Sequence, residues 1–448
     1  MKKNVLRLLA MFMAVMLLVG CTGQSGKDAE ESAKVSEAES TGSEEVKENT
    51  GKTVIEYWHV NADTQGGKTV EELVEKFNSS QDKIEVVARY NPDMYKGLMQ
   101  NLQAEQATGK TPAVVQVGWA LKDYFANNFE YQSPVDVIAK YDTENANYLK
   151  DTFLPNILKL AETADGNQVG LPYSLSNPVL YINRDILREA GLDENGPKTW
   201  QEVKEFGKVI KEKTGKYGLY VQEPADFWGQ QAIIESNGGQ ILSADKKAAF
   251  ASPEGIEAMK LYADMVLEDE SAVHISWDEG VQSFVDGSIA MCYTTIARRA
   301  QIQTNAQFDV ASIKSPVFEG KDRKVPAGGC FLAITSKEEE EIKAAWEFTK
   351  FLYEIENSAA WTIGTGYVPP RVGVAEAENG LKKFLEENEM MVAAIEQMEG
   401  VVPWASFPGD AGLQAEQTLL DMRDQILGGQ ASPEEAMKAA QDSINSLQ

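Results

Sequence analysis

From Thr53 onward, short apolar segments alternate with amphipathic helical segments, and this alternation limits the possible folds more than any other feature of the sequence. The apolar segments have the length and composition of strands, and they include Val54–Trp58, Ile84–Arg89 and Ala113–Val117. The last of these is apolar on both faces, as buried parallel strands are. Strands separated by helices of ten or more residues predict a parallel sheet with helices on both faces. The predicted fold class is α/β.

Helix signals and further apolar segments continue this pattern through the rest of the chain. Thr-x-x-Glu sequences that start at Thr69 and Thr199 have the spacing of a capping box, which predicts a helix beginning at each. From about Glu338 the chain is predicted to be mostly helical. The other predicted helices are 93–107, 184–190, one that starts at Ser252-Pro253 and one that starts at Ser432-Pro433, and the other predicted strands are 178–183, 218–221, 288–294 and 330–335.

The N-terminal residues predict export. Three basic residues within the first seven positions precede an apolar run from Leu8 to Gly20, which is too short to span a bilayer and has the arrangement of a signal peptide over 1–20. Leu18–Cys21 resembles a bacterial lipobox, in which Cys21 is lipidated, and an ordinary signal peptide that contains a cysteine is the alternative. Lipidation would hold the mature chain at the outer face of the cell membrane through at least two acyl chains.

Composition divides the mature chain into a tether and a folded part. Residues 21–52 are rich in Ser, Glu, Gly and Lys, so they bury too little apolar surface to order themselves and predict a disordered acidic tether. Residues 53–448 are enough for two lobes of ordinary domain size. The net charge of −27 argues against nucleic acid as a partner, and most carboxylates are expected to form a solvated acidic surface.

The sequence lacks the common motifs of catalysis and metal binding. Its two histidines, His59 and His274, have no partner at the spacing of metal ligands, and no H-E-x-x-H, C-x-x-C or G-x-S-x-G occurs. Acidic pairs are too frequent to single out a glycosidase pair. Cys292 and Cys330 could form a disulfide or remain buried thiols. We therefore expect no metal, no cofactor and no enzymatic activity.

Several short segments carry a resemblance that covers nearly the whole mature chain. They are Tyr57-Trp58-His59, Thr108–Val117, Gly170–Asp185, Lys198–Glu202, Phe284–Met291, Ala327-Gly328-Gly329 and Thr365–Pro369. In their order and spacing, these segments resemble the extracellular solute-binding proteins of ABC importers, the family that includes maltose-binding and glycerol-3-phosphate-binding proteins.

The resemblance implies a two-lobed periplasmic-binding-protein fold of type II, with a ligand cleft between the lobes. Three chain crossings are expected near residues 174–177, residues 325–329 and Glu354. Closure of the lobes on the ligand would be a hinge motion, and the closed protein, acting as a monomer, would dock on the permease subunits of an ABC importer. The lobes would comprise 53–175 with 328–353, and 176–327 with 354–448.

A carbohydrate presents hydroxyls and C–H faces, so its site needs aromatic platforms together with amides, hydroxyls and closely approaching backbone groups. Trp119 follows the third strand, where loops of a parallel sheet face a crevice, and Gly329 would let a backbone N–H approach the ligand. Packing or turn roles are the alternative for each candidate. By their place in the matching segments, the predicted ligand-binding residues are Tyr95, Trp119, Ser176, Asn177, Trp228, Thr295, Gly328, Gly329 and Tyr367.

Other aromatic residues receive different predictions. His59 is expected to support the cleft rather than contact the ligand, and Trp404 is a candidate for a loop at the cleft mouth. The tryptophans predicted to lie in the core are Trp58, Trp200, Trp346 and Trp361.

The chain departs from the glycerol-3-phosphate branch of the family at two places. Where that branch carries a glutamate for glycerol hydroxyls, this chain has Gly118-Trp119, and Val401–Leu420 contains no Arg or Lys for a phosphate. A buried phosphate without a cation is costly. We therefore predict an extracellular carbohydrate-binding lipoprotein that delivers a sugar or oligosaccharide to an ABC importer. The alternatives are a glycerol-3-phosphate- or glycerophosphodiester-binding protein of the same fold, and a surface-anchored glycosidase.

Overall fold

The computed structural model describes residues 51–62, 66–163, 165–222, 227–407 and 412–447. The predictions of a signal peptide, of lipidated Cys21 and of a disordered tether concern residues outside this part of the chain. Within it, no helix is both long enough and apolar enough to cross a membrane.

Strands and helices alternate along the described chain as the sequence predicts. The strands are β1 (Thr53–His59), β2 (Ile84–Tyr90), β3 (Val114–Gly118), β4 (Leu171–Ser176), β5 (Pro178–Asn183), β6 (Tyr217–Val221), β7 (Ala272–Val273), β8 (Ile289–Thr295), β9 (Val310–Lys314), β10 (Val325–Pro326), β11 (Gly328–Ile334) and β12 (Val401–Val402). The helices are α1 (Gly67–Ser80), α2 (Met94–Ala107), α3 (Lys122–Asn128), α4 (Pro134–Tyr141), α5 (Tyr148–Thr152), α6 (Pro155–Leu158), α7 (Arg184–Ala190), α8 (Trp200–Thr214), α9 (Trp228–Ser236), α10 (Pro253–Leu267), α11 (Trp277–Val285), α12 (Arg299–Asn305), α13 (Glu339–Leu352), α14 (Ile355–Thr365), α15 (Lys382–Glu387), α16 (Val392–Glu396), α17 (Gly412–Leu427) and α18 (Pro433–Ser446).

Two five-stranded sheets form the centres of two lobes. The sheet of the first lobe has the order β2-β1-β3-β11-β4, and that of the second lobe has the order β7-β6-β8-β5-β9. In the first sheet, β1 is parallel to β2 and β3, whereas β11 is antiparallel to both of its neighbours. In the second sheet, β6 is parallel to β7 and β8, whereas β5 is antiparallel to β8 and β9. The α/β class and the two-lobed fold are confirmed.

The prediction of a wholly parallel sheet is wrong for the strands next to the chain crossings. β4 and β5 are consecutive in sequence, yet they lie in different sheets and are joined only by Asn177. Both are buried at every residue. An antiparallel strand covered on both faces has the same apolar composition as a parallel one, so strand direction left no local signal.

Helix starts follow the predicted capping chemistry in all but one case. At α8, the Thr199 hydroxyl accepts a hydrogen bond from the Glu202 backbone N–H at 3.1 Å, and the Glu202 carboxylate accepts one from the Thr199 N–H. The capping box predicted at Thr69 is wrong. There, α1 begins at Gly67, and Gly66 takes up a left-handed conformation with φ of +92° just before it. Thr69 therefore lies inside the first turn, and its side chain is buried.

The apolar core confirms the predicted tryptophans. Trp58, Trp200, Trp346 and Trp361 are each at most 1% exposed. Trp346 also donates from Nε1 to Asp142 Oδ2 at 2.7 Å, which satisfies the buried indole N–H.

Both cysteines of the described chain are buried free thiols. Cys292 lies in β8 and Cys330 lies in β11, so they belong to different sheets. Burial raises the pKa of each thiol above its usual range. Both therefore behave as small apolar side chains.

The position predicted for the last chain crossing, near Glu354, lies between α13 and α14. Two residues separate α13 from α14, and α14 packs beside α1, where Lys76 Nζ donates to Asn357 Oδ1 at 2.7 Å. The chain therefore stays with the first lobe beyond Glu354. It reaches the second lobe near Met390, whose carbonyl accepts from the Ser312 hydroxyl of β9. The lobe boundaries stay a prediction, and this packing extends the first lobe past residue 353.

Candidate functional site

Ser176 of β4, Gly328 of β11 and Trp228 of α9 lie together near the chain crossings. Ser176 ends β4 and pairs with Gly328 at the start of β11. A Cβ added to Gly328 would lie 2.4 Å from Ser176 Oγ and 3.3 Å from the Trp228 ring. At Gly329, where φ is +102°, a Cβ would lie 2.1 Å from the carbonyl oxygen of Ser174. Only glycine therefore fits at either position, and this permits the close approach of the three groups.

The indole N–H groups of Trp119 and Trp228 hydrogen-bond to backbone carbonyls of the segments at the chain crossings. Trp119 Nε1 lies 3.3 Å from the carbonyl oxygen of Ser174 and 3.2 Å from that of Gly328. Trp228 Nε1 donates to the Ala327 carbonyl at 3.3 Å. Both side chains are at most 3% exposed, and a role of either ring in contacting the ligand stays a prediction.

Trp404 extends this aromatic group toward solvent. Its side chain is half-buried, and its ring centroid lies 6.2 Å from that of Trp228. It belongs to an irregular segment after β12, which agrees with the expected loop at the cleft mouth.

Tyr95 and Tyr367 form a second aromatic group at the ends of first-lobe elements. The Tyr95 ring lies against Gly118, where an added Cβ would come within 2.7 Å of it. The Tyr367 ring lies parallel to that of Trp361, with the centroids 6.3 Å apart. The two phenol groups are neighbours, and burial raises the pKa of Tyr367 to about 12 and that of Tyr95 well above its usual value. Both phenols are therefore neutral at physiological pH and can donate or accept hydrogen bonds.

Asn177 and Thr295 have structural hydrogen bonds at the hinge and at the end of β8. Asn177 is fully buried, its Nδ2 donates to the Ala394 carbonyl at 2.9 Å, and its Oδ1 accepts from Gln397 Nε2 at 2.7 Å. The Thr295 hydroxyl accepts from the Ala297 backbone N–H at 3.2 Å. A role of these two residues in contacting the ligand stays a prediction.

The lobes meet beside these residues. A Cβ added to Gly366, next to Tyr367, would lie 3.3 Å from the carbonyl oxygen of Ala297, which follows β8 of the second lobe. The structure thus gathers Tyr95, Tyr367, Ser176, Gly328 and Trp228 around the region where the lobes contact each other.

Sequence reasoning missed a buried amide network under the first-lobe side of the site. Gln116 Nε2 donates to the Tyr57 hydroxyl at 2.7 Å and to Asn61 Oδ1 at 3.1 Å, while its Oε1 accepts from the Val60 N–H. The available signal was a glutamine inside an otherwise apolar strand. His59 stands beside this network, since its Nδ1 accepts from the Asn61 N–H at 3.3 Å. Burial lowers the pKa of His59 to about 4, so its ring is neutral at physiological pH, and its supporting role stays a prediction.

A second missed amide, that of Gln222, follows the end of β6. Its Oε1 accepts from the Thr294 hydroxyl at 2.6 Å and lies 3.3 Å from the Thr295 N–H. It thereby fixes the end of β8, where the polypeptide turns toward the cleft.

Two cavities lie along the junction of the lobes on either side of a hydrogen bond from the Ser406 hydroxyl to the Ala120 carbonyl at 2.8 Å. One has a volume of about 510 Å³. It is lined by polar groups of both lobes, including Asp123 and Lys246, and by the Trp404 ring. The other measures about 320 Å³, and its apolar lining includes Met99, Leu121, Tyr124 and Phe407. Cavities of this size accommodate small molecules.

The two arginines that follow β8 contact partners in their own lobe. Arg298 lies over the Trp277 ring at 3.9 Å and pairs with Asp278 at 3.2 Å. Arg299 donates to Gln303 Oε1 at 2.7 Å. Over the described ranges, no group of three or more His, Cys, Asp or Glu residues is placed to hold a metal ion.

Comparisons with known proteins agree with this architecture. The sn-glycerol-3-phosphate-binding periplasmic protein UgpB of Pectobacterium atrosepticum is 25% identical over 411 residues, which cover 88% of this chain and 91% of that protein. UgpB of Escherichia coli K12 is 24% identical over 420 residues, with 88% and 92% covered.

Two solved structures share the fold. The cyclic alpha-maltosyl-1,6-maltose binding protein of Arthrobacter globiformis has a TM-score of 0.76 at 23% identity, over 89% of this chain and 99% of that one. UgpB of Mycobacterium tuberculosis, solved in complex with glycerophosphocholine, has a TM-score of 0.76 at 21% identity, over 89% and 98%. The profile of the family described as bacterial extracellular solute-binding protein matches residues 72–390. This chain therefore belongs to the bacterial extracellular solute-binding proteins.

Proposed function

We propose that this chain binds a sugar or oligosaccharide outside the cytoplasm and delivers it to the permease subunits of an ABC importer. The observation that carries the proposal is the gathering of neutral aromatic groups where the lobes meet, with Tyr95 and Tyr367 on one side and Trp228 and Trp404 on the other. Rings of this kind stack on the C–H faces of sugars, and neutral phenols, hydroxyls and backbone groups hydrogen-bond their rims.

The charges beside the site favour a neutral ligand over a phosphate. Arg298 and Arg299 are bound to second-lobe partners, and Lys122 and Lys246 both face Asp123. The segment that carries Trp404 contributes neither Arg nor Lys. A phosphate held beside Trp404 would have only the lysines of the 510 Å³ cavity as cationic partners, and none of them offers the bidentate geometry of an arginine.

The relatives support an alternative ligand in the same fold. UgpB proteins are named for sn-glycerol-3-phosphate, and the Mycobacterium tuberculosis structure contains glycerophosphocholine. The structure from Arthrobacter globiformis is that of a protein named for a cyclic maltosyl-maltose. Glycerol-3-phosphate or a glycerophosphodiester is therefore the second candidate.

Both ligand classes can be tested by titrating the full-length chain with maltose, maltotriose, a cyclic glucan, glycerol-3-phosphate and glycerophosphocholine. Tryptophan fluorescence reports binding, and a ligand that binds only the folded protein raises the melting temperature with the logarithm of its concentration. We expect a saturable response to one sugar class. A response to the two phosphate compounds with none to any sugar would refute the carbohydrate proposal and select the alternative.

We also propose that the chain binds without catalysis, which distinguishes it from a surface-anchored glycosidase. The gathered groups are neutral phenols, indoles and amides rather than a pair of carboxylates flanking a bond. Chromatography of a bound oligosaccharide after prolonged incubation should recover it uncleaved. Release of shorter sugars in molar excess over the protein would show a glycosidase.

The proposed place of action is the outer face of the cell membrane, with the protein held as a monomer by lipid on Cys21. Its support is the order of basic, apolar and lipobox segments in the N-terminal sequence. Cys21→Ser should abolish incorporation of a labelled fatty acid and release the protein from membranes. Cys292→Ser is the matched control, because that thiol is buried in β8. Equal labelling of both variants would exclude Cys21 as the anchor.

A further inference from the structure

The segment that follows β3 contacts two second-lobe loops through polar groups. Lys246 Nζ lies 3.6 Å from Asp123 Oδ2, and the Ser406 hydroxyl donates to the Ala120 carbonyl at 2.8 Å. None of the predicted ligand-binding residues takes part in these two contacts. They join the lobes directly, so their free energy is present only when the lobes are together.

The surroundings of Asp123 make it sensitive to the loss of this contact. Its side chain is 11% exposed, and Oδ1 lies 3.2 Å from Lys122 Nζ. Oδ2 is buried and accepts no hydrogen bond from any described residue, so the Lys246 ammonium is the positive charge that faces it. Lys122 also donates to the Glu162 carbonyl, and burial lowers its pKa. Removing the Lys246 charge would leave this largely buried carboxylate with Lys122 as its one remaining ion-pair partner among the described residues, which weakens the closed arrangement.

The backbone at Lys246 supports a specific role for this side chain. Lys246 has φ of +64°, which is a left-handed conformation that costs a non-glycine residue about 1–2 kcal/mol. Its N–H donates to the Ser243 carbonyl at 2.9 Å, and the Ser243 N–H donates to the Lys247 carbonyl at 2.8 Å, which closes the turn. A turn alone would be better served by glycine, but glycine has no ammonium group to reach Asp123. Strained residues of this kind are found where their side chains have a function.

The second contact is presented by a loop that is fixed to its own lobe. Gln231 of α9 donates to the Pro403 carbonyl at 2.9 Å and accepts from the Ala405 N–H at 3.1 Å. Ser406 follows directly and is 5% exposed. Its hydroxyl is thus held by the second lobe and reaches across to Ala120 of the first.

We propose that the Asp123–Lys246 ion pair and the Ser406–Ala120 hydrogen bond form a latch between the lobes that favours the closed arrangement before any ligand binds. The latch goes beyond the proposed function because it does not depend on which ligand enters the cleft. It acts through the equilibrium between open and closed forms. A ligand that binds the closed form has an apparent affinity that scales with the closed fraction, so the latch residues change affinity by changing that fraction.

The test measures lobe separation in the ligand-free, full-length chain. Bioorthogonal spin labels at exposed Glu75 of α1 and exposed Glu212 of α8 report the distance between the lobes by pulsed electron resonance. Lys246→Met and Asp123→Asn should each lower the ratio of closed to open populations about tenfold, the scale of a partly exposed interlobe pair. Ser406→Ala should shift the same distribution by a smaller amount.

The matched control is Lys247→Met, which removes the exposed charge of the next residue in the same turn. It should leave the distribution unchanged. The double variant Asp123→Asn with Lys246→Met should shift the ratio by less than the product of the single effects, because the two groups interact. Identical distributions in the wild type, Lys246→Met and Asp123→Asn would overturn the proposal, as would an equal shift in Lys247→Met. Because no ligand is present, this outcome is independent of the carbohydrate proposal.

Discussion

Replacing Gln397 by alanine tests the energetic role of the hinge, because this side chain joins three segments at the crossing between the lobes. Gln397 is 3% exposed. Its Nε2 donates to Asn177 Oδ1 at 2.7 Å and to the Pro178 carbonyl at 2.8 Å, and its Oε1 accepts from the Ser315 N–H at 3.0 Å. Gln397→Ala removes all three hydrogen bonds and leaves three buried polar groups without this partner.

The magnitude follows from the cost of a buried group that loses its partner, which is about 1–3 kcal/mol for each group. Some of the loss is recovered where water enters the space of the missing side chain. We therefore expect Gln397→Ala to lower the free energy of unfolding by about 3–5 kcal/mol, a large part of the stability of an ordinary domain.

Urea denaturation followed by circular dichroism measures this change. Gln417→Ala is the matched control, because Gln417 is exposed on α17 and pairs only with Asp421 of the same helix among the hydrogen bonds described. Glutamine and alanine differ little in helix propensity, so the control should change the unfolding free energy by less than about 0.5 kcal/mol. A loss below about 1 kcal/mol for Gln397→Ala would refute the conclusion that the three hydrogen bonds of Gln397 stabilise the hinge.

Three further predictions concern the site and its surroundings. Trp119→Ala should lower the free energy of unfolding by about 3–5 kcal/mol, because the buried ring fills the core and its N–H bonds to carbonyl groups of β4 and β11. A loss below about 1 kcal/mol in urea denaturation would contradict this role. Tyr367→Ala should weaken sugar binding by about 1–3 kcal/mol in calorimetry, whereas Tyr217→Ala, on an exposed ring of β6, should not; equal affinities would remove Tyr367 from the site. Burial raises the pKa of Glu235 to about 7. Between about pH 4.5 and 7, the folded protein therefore keeps a proton on this carboxyl group that the unfolded chain has released. The contribution of Glu235 to the free energy of unfolding falls as pH rises through this window. Glu235→Gln should therefore raise the melting temperature more at pH 8 than at pH 5, and an equal change at both values would show that this carboxyl titrates normally.

The local elements were predictable because their signals are local. The capping box at Thr199, the left-handed Gly191 that closes α7 and the buried Trp200 follow from sequence spacing and side-chain chemistry within one or two helical turns. The capping box predicted at Thr69 was wrong although its Thr-x-x-Glu spacing is correct. Gly66 takes up a left-handed conformation just before α1, so the helix begins two residues before Thr69.

The sequence only partly distinguished residues that contact the ligand from residues that hold the site in place. The sequence predicted Ser176, Gly328 and Trp228 as ligand-binding residues, and the structure brings them into contact. It also shows that Trp119 and Asn177 are buried and hydrogen-bonded to the crossing segments. The sequence could not reveal this burial, because the same aromatic residue types occur as ligand platforms and as core side chains.

By itself, the sequence determined the α/β alternation, the helix ends, the core tryptophans and, through ordered motifs, the family. Only the tertiary structure decided the direction of β5 and β11, the three bonds of Gln397 and the meeting of Asp123 with Lys246. The physical reason is sequence separation. Periodicity and capping express interactions among near neighbours, whereas a contact between residues more than a hundred positions apart depends on how both lobes have already folded.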